Sequence, residues 1–203
     1  MTTLPLFPDS QTTEQAFDVN SWETPDSVAQ KMAALVLPSD RRILEPAVGT
    51  GQIAKYLPKS RDVFVLCNEI KLDRFQRLHS SNFHHFHHSD FLQWNHAAID
   101  FKYHLIITNP PFDLALQFLE RSLELLDRSY EHARLLYLLP CDVFQSKARG
   151  DYFKRLDCHI HHRYLIQGRV AYLKNGVPFK QRQLYDSVYD IRPGKEGASE
   201  TFL

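Results

Sequence analysis

Residues 41–51 read Arg-Arg-Ile-Leu-Glu-Pro-Ala-Val-Gly-Thr-Gly. A short apolar strand closes on an acid, Glu45, and passes through Pro46 and Ala47 to the paired glycines Gly49 and Gly51. Glycines between a strand and a following helix let the backbone pass close to a ligand at low steric cost. The helix expected next runs from Gln52 to Leu57 and stops before Pro58.

The same punctuation recurs on both sides of this stretch. Thr24-Pro25 reads as the N-cap and first turn of a helix carrying Val28, Met32, Leu35 and Val36, ended by Pro38. Downstream, 62–67 is a near-continuous apolar run ending at Asn68-Glu69, as suits a parallel strand buried on both faces. A helix is expected from Ile70 to His79. Further strands are expected over 83–88, 103–108 and 134–139, with an amphipathic helix over 114–126. Arg163–Ile166 and Leu184–Tyr189 read as a closing antiparallel pair around a linker that holds Asn175-Gly176. The expected architecture is α/β: a mostly parallel seven-stranded sheet, an antiparallel pair at its edge, and helices on both faces. Residues 1–20 and 192–203 read as flexible polar tails around one domain, 21–191.

In such sheets ligands bind beyond the carboxyl ends of the strands. Glu45, Glu69, Asp90 and Asn109 each close an expected strand. Gly49, Gly51 and Ala54 formally satisfy a dinucleotide fingerprint, so a NAD site competes at this point. A carboxylate at position 45 repels a pyrophosphate, however, and suits an ammonium. S-adenosylmethionine offers an ammonium and no phosphate. Glu69 is placed to accept both ribose hydroxyls, and Asp90 to accept from an adenine amino group, with Ile70 and Phe91 beside them.

Asn109-Pro110-Pro111-Phe112 follows the apolar strand at 105–107. An aromatic amino group is a poor nucleophile because its lone pair is delocalised. Two acceptors for its N–H hydrogens, the Asn109 side chain and the Pro110 carbonyl, favour a pyramidal nitrogen. The prolines fix the backbone that carries them, and Phe112 is placed to stack on the base.

These segments, in this order, resemble the N6-adenine DNA methyltransferases of the gamma arrangement, over about residues 22–190. The resemblance implies a Rossmann-like fold, S-adenosylmethionine as cofactor, Thr24, Glu45, Glu69, Asp90 and Asn109 at or beside it, and adenine N6 in DNA, flipped out of the duplex, as the target. It also leads one to expect a large target-recognition region after the last motif, whereas little follows Tyr189. Either the basic segment 147–182 reads the target, or recognition is weak, or a partner subunit supplies it. An RNA base (adenine N6 or guanine N2), a protein glutamine amide and a non-catalytic cofactor-binding subunit remain open as alternatives. The intact tetrapeptide argues against the last.

Charge is balanced overall, at 24 Lys and Arg against 24 Asp and Glu. Residues 147–182 nevertheless carry nine basic residues against two acids. Arg149, Lys154, Arg155, Arg169, Lys174 and Arg182 are the candidate phosphate contacts. His159, His161 and His162 lie in the same segment. His84, His85, His87 and His88 lack the carboxylate or cysteine spacing of a metal site, and no metal is expected. Three scattered cysteines, Cys67, Cys141 and Cys158, suit neither a disulfide framework nor a zinc site. With no signal peptide or membrane span in view, the expectation is a cytoplasmic protein.

Overall fold

The computed structural model describes residues 22–79, 84–95, 101–174, 177–178 and 184–194. The strands are β1 (Arg42–Glu45), β2 (Phe64–Glu69), β3 (His85–His88), β4 (Leu105–Thr108), β5 (Arg134–Pro140), β6 (Cys158–Leu165) and β9 (Asp186–Pro193). They form one sheet in the order β3-β2-β1-β4-β5-β9-β6. β1 to β5 pair in parallel, and β9 runs antiparallel to both of its neighbours. β7 (Leu173–Lys174) and β8 (Val177–Pro178) make a separate small hairpin. The helices are α1 (Asp26–Ala33), α2 (Leu72–His79), α3 (Ala115–Leu125) and α4 (Lys147–Arg155).

Alternation along the strands sends side chains to two cores. Leu44, Leu66, Ile106, Leu135 and Tyr137 pack with Leu119 and Leu123 of α3 and Phe153 of α4. Ile43, Val65, Cys67, Leu105, Ile107, Leu136 and Leu138 pack with Val28 and Met32 of α1. All seven residues of β5 are buried. This explains its unbroken apolar run, since a strand covered on both faces has no solvent side to fill with polar residues.

Polar groups at the amino edge of the parallel strands are fully engaged. Arg134 grips Asp40 through two hydrogen bonds of 3.0 and 2.8 Å. It also donates to the carbonyls of Leu35 and His132, and the two side chains of the pair are only 3% and 0% exposed. Arg42 donates to Asp127 at 2.5 Å and to the His104 ring. That ring stacks on Tyr130 with centroids 4.1 Å apart.

Several expectations shift. Pro25, not Thr24, holds the N-cap position of α1, and it makes no side-chain cap. Residues 52–57 form only a short 3-10 turn, Ala54–Tyr56. Phe112–Leu114 is a second such turn ahead of α3. α4 forms inside the basic stretch where no helix was expected, and Ser146 caps it by accepting from the Arg149 amide. β6 starts at Cys158 rather than Arg163, and β9 runs to Pro193, where it pairs with Cys158. β6 is the half-exposed edge strand, and its polar residues hide the pattern; β9 lies between β5 and β6, and its buried Asp186, Ser187 and Asp190 interrupt the apolar run. Phe83 and Asn175-Gly176 lie outside the described residues. Among the described residues no helix is long and apolar enough to cross a membrane.

Candidate active site

Beyond the carboxyl edge of the sheet lies a cleft with two lobes. The larger, about 660 Å³, is lined by Pro46, Glu69, Ile70, Asp90, Phe91 and Asn109 to Phe112, among others. The smaller, about 320 Å³, is lined by Thr24, Glu45, Val48, Thr50 and Gln52, among others. Trp22, Ala47, Gly49, Arg74 and Asn109 border both. β1, β2, β3 and β4 contribute through residues at or just past their ends, because that is where the chain leaves the sheet.

Glu45 is 1% exposed, and its Oε2 has no hydrogen-bond partner. Burial pushes its carboxyl well above the ordinary value, and the charge of Glu69 adds to the effect. Glu69 is raised less, although burial is again the main cause. Its oxygens accept from the amides of Gly49 at 2.8 Å and Lys71 at 2.9 Å, which favour the charged form. Gly49 and Gly51 have φ values of +58° and +82°. A Cβ at Gly51 would come within 2.8 Å of the Leu78 side chain, so α2 packs directly on this loop.

Asn68 was not singled out as a site residue in the sequence and proves to be a strut. Its amide donates to the carbonyls of Pro46 and Ser89, and its oxygen accepts from the Ser89 hydroxyl. One side chain thus ties the ends of β1, β2 and β3 together. A polar residue inside an apolar strand was the available signal. Asp90 turns Oδ1 to the Leu92 amide at 3.0 Å. Phe91 is 2% exposed and packs on Phe118 at 4.9 Å, so it belongs to the core as much as to the cleft wall.

Asn109 has a fixed amide. Its Nδ2 donates to the Trp22 carbonyl and to the Thr24 hydroxyl, both at 3.1 Å. Nδ2 can only donate, so this pairing leaves the other end of the amide, Oδ1, turned away from both acceptors. Oδ1 is buried and has no partner among the described residues. The segment that performs this orientation is itself tied down: Glu23 and Leu173 exchange two backbone hydrogen bonds of 3.0 Å. Beside the bridge, Tyr172 places its ring 6.0 Å from Phe112 and 6.3 Å from Trp22. Neither Trp22 nor Tyr172 was singled out in the sequence, because the partners of each lie far along the chain.

The four described basic candidates do not form one surface. Arg149 stands in the first turn of α4, on the carboxyl-edge side, and Lys154 and Arg155 stand in the last turn, which leads back to the amino edge. Exposed Arg169 follows β6 at the carboxyl edge, 5.8 Å from the Tyr185 ring. The Lys174 side chain and Arg182 lie outside the described residues. The histidines at 84–88 disperse to separate partners: His84 to the Ala54 carbonyl, His87 to Asn68 and His88 to the Ile70 carbonyl. Among the described residues no group of three or more potential ligands gathers for a metal.

No protein-family model and no curated protein sequence matches the chain. Solved structures do resemble it. A putative RNA methyltransferase, PH1948 from Pyrococcus horikoshii, superposes with TM-score 0.60 at 15% identity, covering 86% of this chain and 88% of that one. TrmN from Thermus thermophilus gives 0.52 at 19% identity over 83% of this chain; the chain spans 48% of TrmN's length. A dimethyladenosine transferase from Plasmodium falciparum gives 0.54 at 17% identity, covering 86% of this chain and 63% of that one. Strand order and these likenesses together define the Rossmann-like fold of the S-adenosylmethionine-dependent methyltransferases.

Proposed function

We propose that the chain is an S-adenosylmethionine-dependent methyltransferase that modifies an exocyclic amino nitrogen, with adenine N6 in DNA as its target. The observation that carries this reading is the Asn109 amide, locked through Nδ2 with a buried, unpartnered Oδ1 in the cleft. Burying an unsatisfied acceptor costs about 1–3 kcal/mol. An acceptor held that way at the end of a strand, in a cleft, suits a donor that arrives with a substrate.

The cleft fits the cofactor on its own evidence. Glu45 Oε2 is the second orphaned acceptor, and it suits the ammonium of the amino-acid end. Glu69, Ile70 and Asp90 line the larger lobe, where the nucleoside end would lie. When bound, S-adenosylmethionine supplies a methyl group made electrophilic by a positively charged sulfur. The chain's own work is done on the nucleophile. Asn109 Oδ1 and the Pro110 carbonyl accept the two amino hydrogens, withdraw the lone pair from the ring and aim it at the methyl. Because these acceptors are fixed before the reaction, no reorganisation is needed as charge develops. Phe112, propped by Tyr172, offers a face for the base. A base inside a duplex has to be extruded first, which costs a few kcal/mol. Arg149 and Arg169, on the carboxyl-edge side, are the candidates for offsetting phosphate contacts.

RNA is the second reading, favoured by the likeness to a structure described as a putative RNA methyltransferase over most of both chains. Incubating the protein with tritiated S-adenosylmethionine and separate DNA, RNA and protein pools tests both. Label as N6-methyladenine in DNA is the expected result. Label in RNA alone selects the second reading, and label confined to protein refutes both.

A further inference from the structure

α2 follows β2 and carries Arg74 to the mouth of the cleft, where the half-buried side chain borders both lobes. Among the described residues it is the single cation lining the smaller lobe, opposite the acids Glu23 and Glu45. Arg77, one turn along the same helix, pairs with Asp73 at 2.7 Å. Arg74 enters no hydrogen bond or ion pair among the described residues. Its charge does reach Glu69 and draws that carboxyl's pKa down. Glu69, however, turns its oxygens to the amides of Gly49 and Lys71. A guanidinium withdrawn partly from water in an acid-lined cleft lacks the anion that would normally accompany it.

The amino-acid end of S-adenosylmethionine carries one ammonium and one carboxylate. Glu45 answers the first. We infer that Arg74 receives the second, as a specificity-determining residue that makes the smaller lobe select an intact amino-acid end. The inference rests on the reading that this cleft takes S-adenosylmethionine. Two charges of the ligand then meet two opposite charges of the protein, and the sulfonium is positioned between the lobes by both ends of the molecule. A ligand that kept the ammonium and lost the carboxylate would give up the Arg74 contact alone.

The test is calorimetry with two ligands, S-adenosylmethionine and its decarboxylated form, on the wild type, Arg74→Gln and Arg74→Lys. A charged hydrogen-bonded contact of this kind corresponds to about 10- to 100-fold in affinity. Wild type should therefore prefer the intact cofactor by that factor. Arg74→Gln should weaken the intact cofactor by the same factor while changing the decarboxylated one less than about threefold. Arg74→Lys, which keeps charge but loses the planar fork, should fall between. Equal loss for both ligands, or loss for neither, overturns the inference while leaving the cofactor assignment standing. Weaker oligonucleotide binding with unchanged cofactor binding also overturns it, by giving Arg74 to the substrate. A wild type that binds neither ligand refutes the cofactor assignment and the inference together. Thermal unfolding of each variant checks that α2 has kept its place.

Discussion

Asp40 and Arg134 at the amino edge of the sheet are buried as deeply as Glu45 at the carboxyl edge. Asp40 and Arg134 satisfy each other and two backbone carbonyls besides. Among the described residues Glu45 keeps one oxygen unpaired, and so does Asn109, three strand-ends along the chain but at the end of the neighbouring strand. Both edges belong to the same strands, with the same neighbours and the same two cores. The contrast therefore comes from which residues close the strands, and on the proposed function it separates polar groups that stabilise the fold from polar groups that await a ligand.

If that separation is right, substitutions at the two edges should fail in different measurements. The largest effect is expected at the amino edge. Asp40→Ala leaves Arg134 buried without its partner and should cost about 3–5 kcal/mol of folding stability. Denaturant titration checks it, and a loss below about 1 kcal/mol would erase the distinction. Next is Asn109→Ala at the carboxyl edge. It should reduce turnover by about 100- to 1000-fold, while denaturant midpoint and cofactor affinity stay near wild type. Wild-type turnover would remove Asn109 from the chemistry.

Thr24→Val sharpens the same point. It deletes one of the two groups that hold the Asn109 amide and should lower kcat about fivefold, the worth of one hydrogen bond of roughly 1 kcal/mol, with little change in cofactor affinity. Thr24→Ser retains the hydroxyl and should restore the rate. Failure of the serine to do so would point to a packing role.

The smallest effect is a gain. Burial raises the Glu45 pKa above its ordinary 4.5, so the folded protein holds this proton where the unfolded chain has lost it. Stability from this group is highest below about 4.5 and declines as pH rises through the window up to the raised value. Glu45→Gln removes the dependence. The variant should melt higher than wild type, by a margin that grows with pH, and bind the cofactor more weakly. Melting curves that run parallel across pH would show that Glu45 is not burdened in this way.

The sequence revealed the skeleton of the site because its parts are local. Glu45, Glu69 and Asn109 each end an apolar run, and apolar runs are what a buried parallel sheet writes into a sequence; Asp90 follows the histidine-rich edge strand β3 instead. It revealed less where function depends on pairing between distant segments. Thr24 looked like a helix cap because Thr-Pro is a good local reason for one; the stronger claim on its hydroxyl comes from Asn109, far along the chain. Asn68 was read only as the polar end of an apolar run, because its partners Pro46 and Ser89 lie at the ends of other strands. The basic stretch was read as one surface because charge was counted along the chain. α4 carries Arg149 and Arg155 at opposite ends of a nine-residue helix, and so divides them between the two edges.

The Glu23–Leu173 bridge gives the protein a history as well as a shape. The Asn109 amide acquires its orientation only when a strip near one end of the described chain has met another near its far end. Closing so long a loop comes late, after the local hairpins and helices have formed. In the opposite direction, a short bridge with few backbone bonds belongs to the class of contacts that open first under native conditions. On the proposed chemistry, the orientation of the Asn109 amide is therefore exposed to local opening at one small bridge as well as to global unfolding.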